Sequence, residues 1–118
     1  MGQYFRLLNL DKREYVDPWD VGGVAKLWEW CANNQCRVIP FLLRQSSEGG
    51  GSDIQEDYSL AGHWAGDRVV LVGDYDDSKL FDIAEKEFMN ISKQLVKEFN
   101  DFIHIKDYQL EDRVKERG

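Results

Sequence analysis

The densest apolar run in the chain is Val69 to Val72, set between Gly66-Asp67 and Gly73-Asp74. A short β-branched run bounded by glycines predicts a strand at the centre of a sheet, buried on both faces. Upstream, Tyr4 to Leu10 and Glu14 to Val16 flank the polar Asp11-Lys12-Arg13 and predict a β-hairpin, whose first arm carries apolar residues on both faces and therefore reads as an interior strand. Asp17-Pro18 ends the hairpin, because proline fixes its own φ and drives the residue before it into an extended conformation.

Helical periodicity takes over elsewhere. Val24, Leu27, Trp28 and Cys31 fall at i, i+3, i+4 and i+7, which predicts an amphipathic helix near residues 23–33, capped by Asp20, with Trp28 in the core and Trp30 off the stripe. Pro40 suits the first turn of a helix better than the middle of a strand, so a short helix is predicted from that point. Leu80, Phe81, Ile83, Ala84 and Phe88 predict a helix near 78–88, capped by Asp77 or Ser78. Leu95, Val96, Phe99, Phe102 and Ile103 predict another near 91–103, packed beside it on the sheet. Residues 46–57, with Gly49-Gly50-Gly51-Ser52 at their centre, lack the apolar side chains that would repay ordering and predict a mobile surface loop. The charged stretch 110–118 is expected to fray. The sum is a single two-layer α+β domain, in which a small mixed or antiparallel sheet from residues near 3–9, 13–16 and 68–73 is covered by about three helices.

Size and charge narrow the functional classes. At 118 residues the chain has room for one core, and 15 Lys and Arg against 22 Asp and Glu give a net charge of −7. Scattered basic residues on an acidic protein disfavour nonspecific nucleic-acid binding. The first residues lack a signal-peptide pattern and no apolar run approaches the roughly 20 residues of a membrane span, so a cytoplasmic location without membrane attachment is expected. Cys31 and Cys36, with only His63 and His104 as further soft ligands, fall short of a structural zinc site and are expected to be free thiols.

Several segments together carry a resemblance. Met-Gly-Gln-Tyr-Phe at 1 to 5, Asn-Leu-Asp-Lys-Arg-Glu-Tyr-Val at 9 to 16, Lys-Leu-Trp-Glu-Trp at 26 to 30, Leu-Leu-Arg-Gln-Ser at 42 to 46 and Trp-Ala-Gly-Asp-Arg-Val-Val-Leu-Val-Gly-Asp-Tyr-Asp at 64 to 76 resemble a family of small microbial proteins. The resemblance implies a free-standing microbial protein whose connecting loop after residue 46 is longer in some relatives. It brings no activity, cofactor or catalytic residue with it.

Candidate chemistry concentrates at the two ends of the Val69–Val72 run. Asp74, Asp76 and Asp77 lie where ligands gather in sheet proteins and could hold a divalent ion. An Asp-rich turn before a helix is also what capping and the helix dipole ask for, and that reading is preferred. Asp67 stands roughly 23 Å from Asp74 along an extended strand and cannot join the cluster. His63, four residues before Asp67, could be oriented by that carboxylate as a base or ligand, but no obvious nucleophile accompanies it. Trp19, Trp30 and Trp64, with Tyr75, sit in Asp- and Gly-flanked segments where an aromatic face could stack on a ligand or partner, or close the ends of a small domain.

Three functional classes follow. The favoured one is a non-catalytic binding or regulatory protein, inhibitor- or immunity-like, that meets another protein through an acidic and aromatic surface around Trp19, Trp64 and Tyr75. The alternatives are a metal-dependent hydrolase at Asp74, Asp76 and Asp77, and a binder of a small nucleotide-like ligand with Arg68 or Arg44 on the phosphate and a tryptophan on the base. No cofactor other than a divalent metal is implied.

Overall fold

A computed structural model describes residues 2–51, 53–54 and 56–111. Strand β1, Phe5–Asn9, turns through residues 10–13 into β2, Glu14–Val16, as an antiparallel hairpin with Leu8 opposite Tyr15. Asn9 shapes that turn: its side-chain oxygen accepts from the backbone N–H groups of Asp11 and Lys12 at 2.9 and 2.8 Å. Asp17 then accepts from Trp19 N at 2.9 Å and caps a single helical turn, α1, Pro18–Val21, whose first residue is the proline that the first turn of a helix tolerates best.

The second helix corrects its sequence reading. Gly22 closes α1, Gly23 follows at φ 78°, and α2 begins only at Leu27 and ends at Ala32. Val24 therefore lies outside the helix, and the stripe it was meant to start does not exist. With fewer than two turns, α2 is oriented by its largest anchor instead: Trp30 is 3% exposed and donates its indole N–H to Phe5 O at 3.1 Å. Trp28 consequently faces outward at 67% exposure, with Leu27 and Cys31 exposed beside it. Asp20 is buried rather than capping α2, and accepts from the Asn90 side chain at 3.0 Å. A 3₁₀ turn over Asn34–Arg37 leads into α3, Val38–Leu43, with Pro40 in its first turn.

Strand β3, Val69–Gly73, pairs antiparallel with β1, placing Phe5 opposite Gly73 and Asn9 opposite Val69. Helix α4, Leu80–Glu87, follows, then the two-residue strand β4, Met89–Asn90, then α5, Ser92–Ile103. A 3₁₀ turn, Lys106–Tyr108, ends the regular structure. Strand order is β3-β1-β2-β4, and β4 runs parallel to β2, so the sheet is mixed and the domain α+β.

This order moves β3 from the predicted centre to an edge. The interior strand is β1, as its two apolar faces suggested. Both faces of the sheet are covered, and a strand at its rim needs apolar residues on both sides as much as a central one does. Val69 and Leu71 pack on the larger core, built from Leu7, Val16, Trp30, Phe41, Leu42, Trp64, Leu95, Val96 and Phe99. Val70 and Val72 pack on a smaller cluster with Leu8, Tyr15, Phe81 and Ala84 on the opposite face. Helices α4 and α5 thus lie on opposite faces rather than side by side, because β4, at the far edge, carries the chain from one face to the other.

The stretch 46–57 is tied down within its described part. Ile54 is buried in the larger core, Arg44 Nε lies 2.6 Å from an Asp53 carboxylate oxygen, and Gly50 N donates to Ile54 O at 2.8 Å. Leu110 is buried too, held at both its N–H and its carbonyl by the Asn100 side chain at 2.7 Å. Residues 112–118 of the expected frayed tail lie outside the described residues.

Candidate functional site

Strand β3 separates two groups of side chains. At its amino end lies a dense polar network. Glu14 Oε1 accepts the indole N–H of Trp64 at 2.8 Å, and His63 Nε2 lies 3.0 and 3.2 Å from the two oxygens of the same carboxylate. Glu14, on β2, is therefore the orienting partner of His63, and not Asp67 as spacing suggested. Asp67 accepts from Asn9 at 2.9 Å and Lys12 at 2.5 Å, which hold its carboxyl below the usual range, the Lys12 hydrogen bond most strongly. Asp11 accepts from Arg68 twice, from the backbone N–H at 2.7 Å and from Nε at 2.9 Å, and is lowered by the backbone bond first.

These contacts bear on two expectations. Arg68 meets Asp11 Oδ1 through both Nε at 2.9 Å and Nη2 at 2.8 Å while its side chain stays 75% exposed, so it already shares its charge with a carboxylate of the fold. Trp64 is 0% exposed and its only polar atom is bound, so it has no face to offer a partner. Ser59, the hydroxyl nearest His63 in sequence, donates from Oγ to Glu98 at 2.7 Å. Glu98 also accepts from Leu60 N at 2.9 Å and from Gln94; burial pushes its carboxyl up, but these donors together bring it below its ordinary value.

At the carboxyl end of β3 the acidic residues serve the turn. Asp74 Oδ1 accepts from Tyr4 N at 2.9 Å, and Asp74 N donates to Tyr4 O at 2.9 Å, extending the β1–β3 ladder by one pair. Asp76 accepts from Ser78 N at 3.0 Å, and the Ser78 hydroxyl and backbone hold its carboxyl low. Ser78 Oγ in turn accepts from Leu80 N at 3.2 Å at the start of α4. Asp74 and Asp76 thus serve the β1–β3 ladder and the turn before α4, while the helix itself starts after Lys79, in a left-handed backbone at φ 61° and without a side-chain cap, so the expected cap from Asp77 or Ser78 is not formed. Among the described residues no group of three His, Cys, Asp or Glu is arranged to hold a metal ion, which removes the geometric basis of the metal reading at Asp74, Asp76 and Asp77.

Aromatic residues join this end. Trp19 is half-buried and stands edge-on to Tyr4, with ring centroids 5.6 Å apart, while Tyr75 projects at 61% exposure. Trp19, Tyr4, Asp74 and Tyr75 therefore form one rim, and Trp64, His63 and Arg68 lie at the other end of the strand.

Between the two ends runs a feature that periodicity could not reveal. In an antiparallel ladder alternate residues turn their backbone groups toward the partner. The Leu10 N to Arg68 O and Asp74 N to Tyr4 O bonds fix which ones, so Val70 and Val72 face β1, while the N–H and C=O groups of Val69 and Leu71 point away from it. Among the described residues no strand pairs with that outer edge. A groove of about 410 Å³ lies along it, walled by Phe5, Val70, Leu71, Leu80, Tyr75 and Asp76.

No protein-family model, curated protein or solved structure matches the chain. Among the described residues no helix is long and apolar enough to cross a membrane.

Proposed function

We propose that this is a non-catalytic binding protein that holds another protein along the outer edge of β3, in the manner of a small inhibitor or immunity protein. The observation that carries the reading is the unpaired edge itself. Among the described residues no strand takes up the outward backbone donors and acceptors of Val69 and Leu71, which suits an added strand, and the adjoining groove takes its alternate side chains. Tyr75 supplies an exposed aromatic anchor at one end of that groove. Asp76 and Asp77, on a chain of net charge −7, favour a partner segment with basic residues flanking an extended apolar stretch.

The test is affinity capture of proteins on the immobilised chain, followed by hydrogen exchange on the complex formed. Slowed exchange at Val69 and Leu71, with capture lost in a Tyr75→Asp, Asp77→Lys double variant, supports the reading. Capture of nothing, protection confined to other elements, or a captured set indifferent to the double variant refutes it.

A further inference from the structure

Beyond the β3 edge, we propose that the cavity between α3 and α5 is a binding site for a small organic carboxylate with an apolar body, its carboxylate held by Arg37. The cavity measures about 350 Å³, at the lower end of the range for small-molecule sites. Its walls are Phe41, Ile54, Phe99, Phe102 and Tyr108, and the three phenylalanine rings pack with centroids 5.3 to 6.5 Å apart. Such a surface takes up an alkyl chain or an aryl ring by excluding water from both.

The polar rim supplies the head-group chemistry. Arg44 is already committed, with Nε on Asp53 at 2.6 Å and Nη2 on Glu48 O at 2.8 Å. Arg37 is not. Its guanidinium stacks on the Tyr108 ring at 5.0 Å, and its Nη1 is buried with no hydrogen-bond partner among the described residues. A buried cationic donor left without an acceptor is costly, and a carboxylate supplies acceptor and counter-charge in one group. Among the described residues the charged side chains lining the cavity are Arg37, Arg44 and Asp53, two cations against one carboxylate. One guanidinium against aromatic walls suits one carboxylate on a compact apolar body.

The experiment titrates the intact isotope-labelled protein with octanoate and, as the neutral comparator, 1-octanol, following NMR shifts. Saturable shifts at Phe41, Ile54, Phe99 and Ile103 are expected, with octanoate at least about tenfold tighter than octanol, as a charged hydrogen bond requires. Arg37→Met, which keeps the stem, removes the preference. Ile103→Trp, which fills the cavity from a half-buried position, abolishes binding of both and keeps the test decisive if the arginine variant does not fold. Octanoate without saturable shifts at those residues, equal affinity for acid and alcohol, or a preference that survives Arg37→Met overturns the proposal.

Discussion

The indole N–H of Trp64 and the ring of His63 meet the same carboxylate oxygen of Glu14, at 2.8 and 3.0 Å. Residues adjacent in sequence are thus both pinned to β2, and Trp64, the largest fully buried side chain, has its one polar atom satisfied there. Glu14→Ala leaves a buried donor without an acceptor and is expected to destabilise the fold by about 1–3 kcal/mol. Glu14→Gln keeps an acceptor and should cost less. Urea denaturation of both variants checks this, and an alanine variant as stable as the wild type would show that the Trp64 contact is not formed in solution.

Trp28 and Trp30 give the second expectation, since two positions along one short helix exchange the roles that sequence assigns them. Trp30→Ala removes a 3%-exposed ring from the larger core and is expected to cost about 3–5 kcal/mol. Trp28→Ala, at 67% exposure, should stay within about 0.5 kcal/mol of wild type. Comparing the two denaturation midpoints decides which face of α2 is inside.

What the sequence could show follows from how local each determinant is. Strand β1, the Pro40 turn and α5 were legible because a short run apolar on both faces beside a polar turn, proline geometry and a twelve-residue amphipathic pattern are written in consecutive residues. The face of α2 was not, because six residues carry too little periodicity to outvote one tryptophan anchored on Phe5. The place of β3 was not, because apolarity on both faces reports that both faces are covered and is silent about strand order. The Glu14–His63 pair joins residues 49 apart, and Arg37 meets Tyr108 only through packing at the α5 end of the molecule. No spacing rule reaches those.

Acid should weaken the fold, with the sign set by depressed carboxyl groups. Asp11, Asp53, Asp67, Asp76 and Glu98 are all held below their ordinary values by donors present only in the folded state. Below about pH 4.5, where unfolded carboxylates begin to protonate, the unfolded state binds more protons than the folded one. Stability is therefore full above that range and is lost as pH falls through the folded values. The urea midpoint at pH 3 should lie below that at pH 5.5, and Glu98→Gln should flatten the slope. A midpoint unchanged over that interval would exclude the hydrogen bonds that hold these groups low.

Gly62 and Gly66 share a left-handed backbone, at φ 73° and 80°, but not a neighbourhood. Gly62 N donates to Phe41 O at 2.8 Å and Trp64 N to Leu42 O at 3.0 Å, so this segment closes the carbonyl end of α3. A Cβ at Gly62 would run into the backbone oxygen of Arg44, whereas one at Gly66 meets nothing within 4 Å. Gly66→Ala is thus expected to cost only the conformational term, about 1–2 kcal/mol. Gly62→Ala must also displace the α3 terminus and should cost clearly more. It should loosen Trp64 as well, read as a red shift of tryptophan emission in Gly62→Ala that is absent in Gly66→Ala. Equal losses in the two variants would mean that residues 62–64 do not pack on α3.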